Sequence, residues 1–305
     1  MTTRTEQQPP VASTPNGKKS FSLISDEKLI SLYTAMLKTR LFEGRAQNLF
    51  ARGKSPGTSV SATGREAAMV GVALDLLPED VIGPSPLGIL TNFVKGAPLN
   101  ELLPQLIAGT DNARPTRDMG YGALIAAGAA MVNKSQGNKN IAVSLCSGPS
   151  TASWLEALRF AGVHNLPILF VSWISTPAGL NRLKAENLCV PSMTVDGSDV
   201  VAVYRVACEA ITHARKGNGP TLIECTTHHL HGRSPIAAGK RRKLEKASGA
   251  VSDPILNMEK YLTGKGLFRE EIKIEIVSSF SNELDAAIGV VRKTSPSANH
   301  RRRQK

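Results

Sequence analysis

The chain has 305 residues, 41% hydrophobic and 20% charged, an ordinary globular composition long enough to bury one large core or two modest ones. No apolar run reaches the length of a membrane span; the longest, Ala123 to Val132, is interrupted by Gly128. The formal charge of +12 is confined to three segments: the tail from Arg292 to Lys305 carries +6, Lys240 to Lys246 carries +4, and residues 1–20 carry +2. The remainder is neutral, which argues against a basic docking face on the folded body and makes nucleic acid an unlikely partner.

Residues 1–20 are Thr/Gln/Pro-rich and read as a disordered basic segment ahead of a folded domain over 21–293. Ser25 reads as an N-cap, with Asp26 and Glu27 in the first helical turn. Leu29, Tyr33, Met36, Leu37 and Leu41 then recur at helical spacing. A second, apolar helix is predicted over Ala67 to Leu77, ended by Pro78, and another over Leu99 to Ile107. The Ala/Gly-rich stretch Tyr121 to Val132 predicts a helix packed closely on a sheet. Asn140 to Leu145 and Leu166 to Val171 read as buried strands around a helix bearing Trp154, Leu155, Leu158 and Val163. Short strands fit Met193 to Val195 and Thr221 to Cys225, with a helix from Val200 to Lys216 between them, stopped by Gly217. From Asp253 the chain reads as helical, and residues 294–305 as a disordered basic tail. Strands alternating with helices predict an α/β fold: a parallel sheet with helices on both faces and a helical C-terminal part. Ligands in such folds lie at the carboxyl ends of strands, here Cys146 to Thr151 and Ser172 to Pro177.

The N-terminus has no apolar signal core, so a cytoplasmic protein is expected. Cys146, Cys189, Cys208 and Cys225 show no metal spacing and read as reduced, buried thiols. Ser147 to Thr151 could cradle a phosphate through backbone N–H groups, although a plain capped helix start is the favoured reading. His228, His229 and His231 lack a carboxylate or thiol partner at ligand spacing, so no metal is assigned to them. Cys146 reads as a small buried filler rather than a nucleophile, and Trp154 and Trp173 as core or subunit contacts.

An ordered series of motifs resembles the alpha subunit of the thiamine-diphosphate-dependent 2-oxoacid dehydrogenases, the decarboxylating component of the pyruvate and branched-chain complexes. The series runs through Arg40 to Ala46, Gly64-Arg-Glu66-Ala67, Gly71 to Leu74, Leu77 to Asp80, Glu156-Ala-Leu158, Leu166-Pro167, Val195 to Val200, Gly219 to Glu224, Asp253 to Ile255, Tyr261-Leu262 and Gly266-Leu267. The resemblance implies a thiamine-diphosphate-binding α/β fold and a beta-type partner subunit that carries the other half of each site. It also implies magnesium and thiamine diphosphate as the family's cofactors.

At the positions where that family holds its cofactor, this sequence departs from the pattern. Counting back from Glu156, Cys146 falls at the family's magnesium-binding aspartate, with Ser147 beside it. Ser175 falls in the family's Asn-Asn pair. Pro86 and Leu87 stand for a Tyr-Arg pair that reaches the phosphates, and Ile89 for a histidine just beyond. Val60 falls at another histidine near the cofactor. The family's catalytic loop histidine falls at Arg233, next to His231-Gly232. A thiol is a poor ligand for a hard cation, and a lone hydroxyl is weak. The expectation is a diverged alpha-subunit-like protein with a degenerate cofactor site, no cofactor on the isolated chain, and a structural or regulatory role with a beta-type partner or itself. The alternatives are an active thiamine-dependent 2-oxoacid decarboxylase and a nucleic-acid-associated protein acting through basic tails. A chain ending at Lys293 should melt with the full-length protein; a fall of more than about 5 °C would mean the tail docks.

Overall fold

The computed structural model describes residues 24–52, 62–108, 120–147, 152–174, 190–227 and 253–294. Its elements are α1 (Asp26–Arg52), α2 (Glu66–Ala73), β1 (Val81–Ile82), α3 (Gly88–Lys95), α4 (Leu99–Ala108), α5 (Tyr121–Ser135), β2 (Ala142–Ser147), α6 (Ala152–Val163), β3 (Ile168–Ile174), β4 (Ser192–Asp196), α7 (Val200–Arg215), β5 (Thr221–Thr226), α8 (Pro254–Gly264) and α9 (Glu270–Thr294). The five strands form one wholly parallel sheet in the order β1-β2-β3-β5-β4. Parallel neighbours need crossover connections, and helices covering both faces follow.

Local chemistry sets several of the boundaries. Ser25 caps α1 as expected, its Oγ accepting the Lys28 amide at 3.2 Å. Asp199 caps α7 by accepting the amides of Val201 and Ala202, and Asp253 caps α8 through Ile255. Gly217 follows α7 at φ +78°, a left-handed position that suits a helix stop.

Alternation along the strands sorts the core into two faces. Val143, Leu145, Leu169, Val171, Trp173, Ile223 and Cys225 pack with α1, α2, α7, α8 and α9. Ala142, Cys146, Ile168, Phe170 and Leu222 pack with α5 and α6. Trp154 and Trp173 are both core residues, at 1% and 2% exposure. The small residues of α5 bring it close to the sheet: a Cβ on Gly122 would lie 1.9 Å from the Pro84 carbonyl oxygen. On the other face Gly71 seats α2 on α7, since a Cβ there would meet Val203 Cγ1 at 2.7 Å.

The structure corrects three expectations. Helix α2 ends at Ala73, short of Leu77, because a tight turn from Leu76 to Ala73 follows and the Asp80 carboxylate captures the Leu77 amide. Strand β1 and helix α3 carry no periodic signal of useful length, and the sequence reading passed over both. Among the thiols, Cys146 and Cys225 are buried, but Cys208 is only partly buried; Cys189 lies outside the described residues.

Asp80 ties these parts together. Its carboxylate accepts from the Leu77 amide (2.7 Å), the Ile141 amide (2.9 Å) and the two terminal guanidinium nitrogens of Arg215, while its carbonyl accepts from Lys95 Nζ at 2.7 Å. Arg215 also donates to the Lys139 carbonyl at 2.9 Å. Asp80→Ala would strand the part-buried Arg215 cation and two amides, at a cost of about 3–5 kcal/mol. Thermal melts should show a loss of roughly 6 °C or more; an unchanged midpoint would mean that this junction is not structural.

Candidate functional site

The carboxyl ends of β1, β2, β3 and β5 lie at one end of the sheet, where parallel α/β folds place ligands. Helix α2 approaches that end with Gly64-Arg65-Glu66. Glu66 is fully buried; it accepts from the Gly64 amide at 2.8 Å and from Arg40 Nε at 2.7 Å. Arg40 Nη1 also holds Asp253 at 2.7 Å, so α1, α2 and the start of α8 meet in one ionic knot. Burial pushes the Glu66 carboxyl up in spite of Arg40. For Asp253 burial acts in the same direction, but the Arg40 hydrogen bond and charge outweigh it and hold the carboxyl below its ordinary value. Glu43, itself buried, accepts from the Ala62 amide at 2.8 Å and Thr63 Oγ1 at 3.0 Å. It is also the acidic neighbour of Arg65.

Arg65 is 3% exposed and its guanidinium carbon lies 6.0 Å from the Trp173 ring centroid. Burial lowers its pKa to about 10, against the pull of Glu43. On the opposite face of the sheet the register sets Cys146, Ser172, Glu224 and Thr194 side by side across β2, β3, β5 and β4. Glu224 is 5% exposed, and burial raises its pKa in spite of a hydrogen bond with Thr194. Three buried polar atoms near this end of the sheet have no hydrogen-bond partner: Trp173 Nε1, Glu224 Oε1 and Thr227 Oγ1. Buried polar atoms are ordinarily paired, so their concentration at the ends of β3 and β5 marks this region.

The residues singled out from the sequence divide between the described segments and the rest. Cys146 sits near the end of β2, 2% exposed, in the cluster with Trp154, Phe170 and α5. Ser147 is the last residue of β2, paired with Trp173. Pro86 and Leu87 follow β1, so the topology brings them to the same end of the sheet as Cys146. Leu87 is a core residue that starts α3, and Ile89 is buried beside it. Val60, Ser175, His231 and Arg233 lie outside the described residues. Ser172 falls in the strand end expected to carry ligands, whereas Glu224, Arg65 and Thr227 are not flagged by the sequence as site residues. The alternation of β3 and β5 could have flagged Glu224, a carboxylate in an otherwise buried strand.

Magnesium takes hard oxygen ligands, whereas among the described positions Cys146 carries a thiol in an apolar cluster, and Leu87 and Ile89 carry hydrocarbon. Among the described residues no group of three His, Cys, Asp or Glu side chains could hold a metal ion.

Residues 33–299 match the family model described as the dehydrogenase E1 component. The chain belongs to this family. The pyruvate dehydrogenase E1 component subunit alpha of Staphylococcus epidermidis is 29% identical over 292 residues, covering 87% of this chain and 78% of that protein. The Staphylococcus aureus protein of the same name is 29% identical over 293 residues, with the same coverage. The alpha subunit of the acetoin:2,6-dichlorophenolindophenol oxidoreductase of Bacillus subtilis is 30% identical over 240 residues, covering 68% of this chain and 72% of that one. The E1-component chain described here is a 2-oxoacid dehydrogenase alpha-subunit-like protein, with an α/β fold built on a parallel sheet. Among its described residues no helix is long and apolar enough to cross a membrane.

The setting of Cys146 and Cys225 predicts their reactivity. At pH 8, iodoacetamide followed by mass spectrometry should leave both unmodified in the native protein, with Cys208 labelling before either of them. Rapid labelling of Cys146 would overturn its reading as a buried filler. Burial pushes the Cys225 thiol up to about 12, with Asp196 adding to the shift. The raised folded value means that the stability it contributes is complete below the ordinary thiol range and is lost as pH rises toward 12.

Proposed function

We propose that this E1-component chain is a non-catalytic alpha-type subunit, which keeps the fold for assembly and has lost the residues that hold magnesium and thiamine diphosphate. The observation that carries the reading is Cys146: where the family places a carboxylate, a thiol lies 2% exposed among Trp154, Phe170 and the alanines of α5. A hard cation gains little there, and a diphosphate without its cation is costly to desolvate.

The partner proposed is a beta-type dehydrogenase subunit, with self-association as the second route. The names of the relatives, subunit alpha in each case, support a place in a larger assembly. So does an apolar stripe on α5: Tyr121, Leu124, Ile125, Met131 and Val132 recur at helical spacing and are all exposed, with open space at Gly128 between them. Net positive charge confined to residues 1–20, 240–246 and 292–305 gives nucleic acid no comparable surface among the described residues.

Two measurements test this. Titration calorimetry of the isolated chain with thiamine diphosphate and magnesium should show no micromolar binding; a micromolar affinity abolished by EDTA would sink the non-catalytic reading. Light scattering on a size-exclusion column at low micromolar concentration should show an assembly, alone or with a beta-type dehydrogenase subunit. A stable peak at 32.5 kDa that the beta-type chain leaves unchanged would reject the subunit role.

A further inference from the structure

We propose that helix α5 pairs antiparallel with the same helix of a second copy of this chain, across a twofold axis at Gly128. The pairing names the partner of the apolar stripe on α5, and so rests on the subunit role proposed above. Ala123, Ala126, Ala127 and Ala130 turn one side of α5 into the core. The opposite side carries Tyr121 (55% exposed), Leu124, Ile125, Met131 and Val132 (50% exposed). Gly128 is the middle residue of α5 (Tyr121–Ser135); it is exposed, and nothing lies within 4 Å of where its Cβ would stand. Ile125 and Met131 stand three residues to either side of it, Leu124 and Val132 four, and Tyr121 and Ser135 seven. These offsets fall on one helical face. A twofold contact sets each residue against the one equally far beyond the axis. Leu124 of one copy then meets Val132 of the other, Ile125 meets Met131, and the Tyr121 hydroxyl meets the Ser135 hydroxyl.

Charge and area favour a second copy as the occupant. No residue from Tyr121 to Asn133 is charged, so two copies meet without bringing like charges together. Lys134, the first cation beyond the stripe, donates to the His164 carbonyl after α6 at 2.5 Å. Antiparallel pairing lays the amino end of one helix beside the carboxyl end of the other, so the two dipoles complement each other. Gly128 has no side chain where the backbones cross, and the larger side chains three and four residues away close around the crossing. Helix α6, packed beside α5, adds Phe160 (40% exposed) and Val163 (76% exposed). Seven large side chains left about half exposed put on the order of 600 Å² of apolar surface in water, near the roughly 800 Å² that each partner of a stable dimer buries. A monomer rarely leaves so large an apolar patch uncovered.

The test is a charge swap in the full-length chain, read by light scattering on a size-exclusion column at low micromolar concentration. The unaltered chain should run at twice 32.5 kDa. Ile125→Lys and Met131→Glu alter exposed positions, so each should melt with the unaltered chain but run at 32.5 kDa. Each alone buries a charge against an apolar side chain, weakening the pair about a hundredfold or more. Mixed in equal amounts the two variants should recover the double mass, because the new cation then faces the new anion. Leu124→Cys and Val132→Cys check the register separately: under mild oxidation their mixture should form a covalent dimer about tenfold faster than either variant alone. An unaltered chain that stays at 32.5 kDa would overturn the pairing, as would assembly that survives both charge variants. So would a mixture that remains monomeric, or equal cross-linking in all three cysteine samples. A beta-type dehydrogenase chain separates this inference from the subunit role. If it binds both the unaltered chain and Ile125→Lys while neither self-associates, the pairing falls and the subunit role stands. If it binds the unaltered chain but not Ile125→Lys, and neither self-associates, the face belongs to the beta-type chain and the pairing is overturned. If neither it nor a second copy binds, both readings fall.

Discussion

The fold hangs on a carboxylate at the amino end of the sheet. Asp80 holds the turn after α2, the start of β2 and the end of α7 through one buried side chain, and Lys95 of α3 reaches its carbonyl. Each of these partners is a backbone amide or a cation that would otherwise be desolvated without compensation. Hydrophobic burial supplies the bulk of the stability but is indifferent to register. The Asp80 contacts are directional and fix which residue of β2 stands beside β1. With Val81 level with Ala142, the whole transverse row at the other end of the sheet falls into place.

At that other end, polar satisfaction breaks down. Trp173, Glu224 and Thr227 each bury an unpaired polar atom toward the ends of β3 and β5, while both oxygens of the Asp80 carboxylate are paired. Such a contrast between a well-satisfied structural pole and an under-satisfied one is usual where a fold carries function, because strain and missing partners gather at sites. The contrast holds even though Cys146 and Leu87 have made part of this end apolar.

Much of this architecture was legible in the sequence, and the failures have physical causes. The long helices α1 and α7 announce themselves by cap and period: Ser25 and Asp199 mark the starts, Gly217 the stop. Buried strands such as β2 and β3 are readable as apolar runs, although Pro167 shifts the start of β3 beyond Leu166 because it has no amide to donate. Strand β1 is two residues long and α3 eight, too short for any periodic signal to stand out. The family and the positions of Cys146, Pro86 and Leu87 could be placed by counting along motifs. The stacking of Arg65 on Trp173 could not, since it joins residues far apart in the chain through the register of a parallel sheet. Likewise, Glu224 looked like part of a motif until its neighbours on β3 and β4 were known.

The knot of Arg40, Glu66 and Asp253 has an evolutionary consequence. Replacing Arg40 leaves two carboxylates, one of them fully buried, without their cation, a loss of about 3–5 kcal/mol, comparable to much of a domain's net stability. Apolar substitutes would be tolerated only if the partners changed together, and no path of single substitutions offers that cheaply. The trio therefore acts as a ratchet. Residues at the strand ends can change one at a time, while this internal junction stays fixed and preserves the outline of the fold.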